Sequence, residues 1–137
     1  MIIISHRGNV NGRDKDRENN PKYIKDLINK NINVEVDLWR KDNKLFLGHD
    51  LPQYLIDKKY LEYPKFWIHA KNLAAVEFLM KTDLHWFWHD IDKVTLTSKG
   101  FIWCYPGYEC EGGIMVDDRQ TTNVKVSGIC TDFLLDY

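Results

Sequence analysis

The sequence predicts an α/β domain with parallel strand pairing, and three observations carry that expectation. Short strand-like runs alternate with helix-like runs, the order that places helices outside a parallel sheet. Two of the runs, Asn33 to Leu38 and Phe66 to Ala70, are apolar on one face and ionisable on the other. The length of 137 residues corresponds to a single domain over 1–137 with a real hydrophobic core. A closed barrel fits only if several helices are missing. Eight strand-plus-crossover units leave about 17 residues each, against about 250 residues for a typical (β/α)8 barrel.

The elements follow in order. Ile2 to Ser5 reads as a buried strand ending in the polar group His6-Arg7-Gly8-Asn9, and Asn9 to Asn20 reads as a polar loop. Asn19 or Asn20 caps a helix with Pro21 in its first turn, whose Ile24, Leu27 and Ile28 share one face. Asn29 to Asn31 close it. Asn33 to Leu38 is the second strand, and Lys44 to Leu47 is a short extended piece after a turn at Lys41-Asp42-Asn43. Phe66 to Ala70 is the next strand. Asn72 caps a second helix, Leu73 to Lys81, with Leu73, Val76 and Met80 along one stripe. Leu84 to His89, Phe101 to Cys104, Ile114 to Val116 and Gly128 to Cys130 complete the strands. Ser98-Lys99-Gly100 and Glu111-Gly112-Gly113 read as tight turns in place of helices.

Composition narrows the function classes. The hydrophobic fraction of 44% and charged fraction of 28% exclude a disordered chain. The 19 basic and 20 acidic residues nearly cancel, so no nucleic-acid partner is indicated. The apolar opening Met1 to Ile4 is too short for a secretory signal or a membrane span. Cys104, Cys110 and Cys130 have no CxxC spacing, so they read as buried or idle thiols in a reducing, cytoplasmic setting.

The chemistry sits on the polar strand faces. Glu35 and Asp37 share one face of their strand, with Val34, Val36 and Leu38 on the other. Trp67, His69 and Lys71 share a face opposite Phe66, Ile68 and Ala70. Carboxylates at i and i+2 stand about 6.5 Å apart. Their repulsion at an effective dielectric of 20 is on the order of 2.5 kcal/mol. On alternation alone they suit an edge strand facing water. Turned inward, they need a proton, a base or a hard divalent cation. His6 and His49 at strand ends suit a general acid and base, and Arg7 and Lys71 supply positive charge for phosphoryl oxygens.

The segments ISHRGN (Ile4 to Asn9), EN (Glu18-Asn19), EVDL (Glu35 to Leu38), LFLGHD (Leu45 to Asp50), IHAK (Ile68 to Lys71) and SGICTDF (Ser127 to Phe133) occur in this order over nearly the whole chain. In that set the sequence resembles the glycerophosphodiester phosphodiesterase family, within the wider group of phospholipase-C-like phosphodiesterase barrels. The resemblance implies a compact (β/α)8-like TIM barrel with several helices shortened or missing. It also implies metal-dependent hydrolysis of a small-molecule or lipid-derived phosphodiester. His6 and His49 match the acid–base pair, Arg7 the phosphate-contacting arginine, Glu35 and Asp37 two metal ligands, and Lys71 the basic residue two positions after the third ligand. Asn19 matches the EN pair, a substrate-side position.

Two departures shape the expectations. The third ligand position, an acid in the family, is His69 here. Mg2+ or Ca2+ remains the expected ion, with Mn2+ or Zn2+ admitted by the imidazole. The insertion after the HD motif shrinks to Leu51–Lys65, which leaves an open mouth walled by tryptophans such as Trp39, Trp67, Trp86, Trp88 or Trp103. Trp39 is taken as substrate-binding. A lyase-type reaction forming a cyclic phosphate, or a non-catalytic barrel for a phosphorylated or sugar ligand, uses the same residues.

Overall fold

A computed structural model describes residues 1–117 and 123–137. Among the described residues, ten strands form one mixed sheet. They are β1 (Ile2–His6), β2 (Asn33–Lys41), β3 (Lys44–Leu47), β4 (Tyr54–Ile56), β5 (Phe66–Ala70), β6 (Trp86–Trp88), β7 (Val94–Leu96), β8 (Ile102–Cys104), β9 (Ile114–Asp117) and β10 (Gly128–Thr131). The α-helices among the described residues are α1 (Pro21–Asn29) and α2 (Leu73–Leu79). Short 3-10 turns occupy Lys58–Glu62 and Leu134–Asp136.

A parallel tract runs β6-β5-β2-β1-β10-β9-β8. Antiparallel pairs flank it: β3 on the end of β2, β4 on β3, and β7 on β8. No ladder among the described residues joins β6 to β7 or β8. Isolated bonds cross that seam, such as Ser98 N donating to Trp86 O at 2.7 Å. The sheet therefore curls into an open half-barrel.

This overturns the expected (β/α)8-like TIM barrel. The protein is mostly β, with a mixed sheet and two α-helices among the described residues. The physical reason is connection length. A helical crossover between parallel strands takes about a dozen residues or more. Residues 105–113, which join β8 to β9, fall short of that, as do residues 89–93 between β6 and β7. Only residues 7–32 and 71–85 leave room for α1 and α2.

The helices cover one face of the sheet. α1 starts where Asn20 accepts from Lys22 N, with Pro21 in the first turn, and it buries Ile24 and Leu27. The α2 stripe departs from the expected one. Leu73 and Met80 are 68% and 70% exposed, and Ala75 and Leu79 are buried instead. Asn72 fixes that orientation: it accepts from Ala75 N and bonds Arg40 N and O, so the helix is docked through its cap. Under the helices lie Val34, Val36, Leu38, Phe66, Ile68 and Ala70, the apolar faces of β2 and β5. Inside the curl, Ile4, Trp67, Phe87, Trp103, Ile114 and Cys130 form a second cluster. It fills the base of the half-barrel beneath the ionisable ends of the strands. β4 and β7 are strands that the sequence reading did not include.

Candidate functional site

Parallel pairing aligns the polar residues. His6 is opposite Glu35, and Asp37 is opposite His69. Each points into the curl because the other parity of its strand is held under the helices. His6, Arg7, Glu35, His49, His69 and Lys71 line one cleft of about 400 Å³ at the strand ends. Asp37 lies behind it, fully buried.

Asp37 is the hub. Its Oδ2 stands 3.2 Å from Arg7 Nε and 3.5 Å from His49 Nδ1, and its Oδ1 stands 3.2 Å from His69 Nδ1 and 3.8 Å from Lys71 Nζ. Asn19 brackets it, donating from Nδ2 to Oδ2 at 2.9 Å and accepting from Asp37 N at 2.9 Å. Burial pushes the Asp37 carboxyl up, but the histidine contacts and the Arg7 charge outweigh it and hold the group well below the usual carboxylate range. Burial and the Asp37 charge push Glu35 well above that range. The pair therefore shares its charge unequally, as two close carboxylates do.

The polar loop from Asn9 to Asn20 folds over the site. Glu18 and Asn19 are buried, and Glu18 Oε2 faces Arg7 Nη1 at 3.4 Å. Arg7 has φ +56° and Gly8 φ +87°, so the chain turns sharply after β1 and sends the Arg7 side chain back toward Asp37. A Cβ at Gly8 would stand 2.8 Å from Ile24 Cγ1, so only glycine lets α1 pack on this turn.

His6 is oriented by Asp132, whose Oδ1 lies 3.1 Å from Nδ1. Asn9 Nδ2 donates to the same oxygen at 2.8 Å. The ring proton therefore sits on Nδ1, and the Nε2 lone pair faces the cleft interior. Burial lowers the His6 pKa despite Asp132, so the ring is neutral at neutral pH. His69 Nε2 lies 2.8 Å from the His89 carbonyl, which accepts only. Its Nδ1 is left facing Glu35 and Asp37.

That arrangement fits a cation. Glu35, Asp37 and His69 each offer a ligand atom, all within 4.8 Å of one another. Asp37 Oδ1 is buried with no hydrogen-bond donor. An imidazole lone pair and two carboxylates converging there leave a site that a proton or a divalent ion would fill.

Trp39 stands apart from the cleft lining and donates from Nε1 to Gly48 O at 2.7 Å, bracing the strand end that carries His49. Of the other tryptophans, Trp103 lines the cleft and Trp67 is core. His89 borders the cleft, whereas His85 lies deeper, bonded to Thr97 Oγ1 at 2.8 Å. Asp132 and Cys130 are the residues whose roles the sequence did not disclose. Both were visible only as part of the final motif, Cys130 also as a buried or idle thiol. Cys104 and Cys110 are free, with sulfurs 3.5 Å apart.

Comparison with protein-family models, with curated proteins and with solved structures finds no match to this chain. The expected family thus has no support beyond the motifs, and the barrel it implied is replaced by the open half-barrel.

Proposed function

We propose that the protein cleaves a small phosphodiester by acid–base catalysis assisted by a divalent cation. The observation that carries this reading is the Asp132–His6 pair, set in one cleft with His49, Arg7 and Lys71. His6, with its proton held on Nδ1 by Asp132, is disposed to take a proton from the attacking hydroxyl at Nε2. His49, flanked by Asp37 and by Asp50 at 3.6 Å, is placed to hand a proton to the leaving oxygen. Arg7 and Lys71 contribute positive charge where the phosphoryl oxygens would lie. Glu35, Asp37 and His69 would hold the cation, Mg2+ or Ca2+ first and Mn2+ or Zn2+ by virtue of His69. When bound it would stabilise charge developing on the phosphoryl group.

The direct test is turnover of bis-p-nitrophenyl phosphate with EDTA and with each ion in turn. His6→Ala and His49→Ala should each lower kcat about a hundredfold or more. Wild-type rates in both variants would sink the assignment. Product analysis in heavy-oxygen water separates hydrolysis from internal attack, because a cyclic product forms without label. Tight phosphate capture with no turnover under any ion would leave a binding protein.

A further inference from the structure

Glu35 turns its two oxygens toward two different imidazoles. Oε1 faces His69 Nδ1 at 3.8 Å, on the side of Asp37. Oε2 faces His6 Nε2 at 3.9 Å, is buried, and has no hydrogen-bond partner. That distance is too long for a shared proton. Because Asp132 holds the His6 proton on Nδ1, the Nε2 lone pair and Oε2 confront each other across a gap. The Cys130 thiol closes the third side. His6, Glu35 and Cys130 each present a ligand atom, all within 4.8 Å of one another. β10 lies parallel to β1 with Cys130 opposite Ile4, which puts the sulfur on the inner face of the sheet one inward-facing step from His6.

We propose that His6, Glu35 and Cys130 form a second cation position, selective for a thiophilic divalent ion such as Zn2+, with Glu35 bridging it to the position of Asp37 and His69. The donor chemistry separates the two. Carboxylates with one imidazole accept hard or borderline ions, whereas nitrogen, oxygen and sulfur together favour Zn2+ and its congeners. A thiol that merely packs in the core leaves the orphaned Oε2 of the 2% exposed Glu35 without a partner. Coordination replaces the thiol proton, which leaves to solvent, and it takes the Nε2 lone pair of His6. Resting on the acid–base reading above, an ion in this position stops turnover.

The test uses Co2+ and Cd2+ as probes. The full chain carrying Cys104→Ser and Cys110→Ser keeps Cys130 as its only thiol. Titration should produce a sulfur-to-metal charge-transfer absorption saturating at one ion per chain. His6→Gln in that chain should weaken binding about tenfold or more, and His69→Gln should leave the band in place. Absence of the band, or an affinity unchanged by His6→Gln, overturns the site. Should the double-serine chain not fold, the natural chain with and without Cys130→Ala gives the same decision: a band unaltered by Cys130→Ala belongs to Cys104 and Cys110 and refutes the proposal. The band needs no turnover, so failure of the phosphodiesterase reading leaves this result intact. A band without inhibition by Zn2+ in an active preparation would retain the site and refute the assigned role of His6.

Discussion

Asp37 meets Arg7, His49, His69 and Lys71, each within 3.8 Å, and it is fully buried. Its removal leaves several cationic groups without their counter-charge. Asp37→Asn should therefore destabilise the protein by about 3 kcal/mol, read as a lower urea midpoint. Disruption of the exposed Asp14–Arg17 pair should leave that midpoint unmoved. Asp132 touches His6 and not the reacting atoms, so it is a positioning residue. Asp132→Asn should lower kcat on the order of a hundredfold with KM nearly constant. A loss confined to KM would refute the role. His85 gives a pH signature of its own, since burial, and then Lys99, lowers its pKa to about 4. The unfolded chain takes up that proton near pH 6.5, while the folded chain resists it until about pH 4. Stability is therefore full above pH 6.5 and declines as pH falls toward 4. After a discount for its partial exposure, the loss is about 1 kcal/mol. His85→Gln should flatten the slope of the unfolding free energy over that interval, and an unchanged slope would contradict it.

At the scale of elements, β2 is the spine. It pairs with β1 and β3 on one edge and β5 on the other, and it carries both acidic residues. Its inward parity was legible because a two-residue period assigns faces without knowledge of the neighbours. The same rule put His69 on the ionisable face of β5, and the register of β5 with β2 set it opposite Asp37. The stripe of α2 was less legible, because three apolar residues at helical spacing do not say which side the sheet occupies. Docking through Asn72 decided it, and Leu73 and Met80 were left outside. The β3 end shows how tightly His49 is held. A Cβ at Gly48 would stand 2.0 Å from Leu51 O and 3.0 Å from Gln53 Cβ. Gly48→Ala should lower the melting temperature and abolish turnover together, measured by thermal scanning and the phosphodiester assay.

Across the whole molecule, the sheet is left open between its edge strands β6 and β7. Among the described residues, β1, β2 and β10 are each paired on both edges, whereas β7 pairs with β8 alone. Beside the seam, Trp88, Ile91, Val94 and Leu96 are exposed. Amide exchange should be fastest in β7 and slowest in β1, β2 and β10. Uniform protection across these strands would refute the open seam. The register of β1 with β10 was not legible, because it joins Ile4 to Cys130 across most of the chain and no local pattern encodes it.

The amino-acid sequence by itself determined which residues face inward on β1, β2 and β5, and therefore that His6, Glu35, Asp37 and His69 share a side. Alternation along a strand is a local property and needs no partner. It also bounded the helices, since the short connections leave no room for more. Only the tertiary structure decided that the sheet stops at a half-barrel, that Asp132 orients His6, and that Cys130 stands against Glu35. Those outcomes depend on strand register between distant segments, where the free energy comes from packing and hydrogen bonding across the whole sheet.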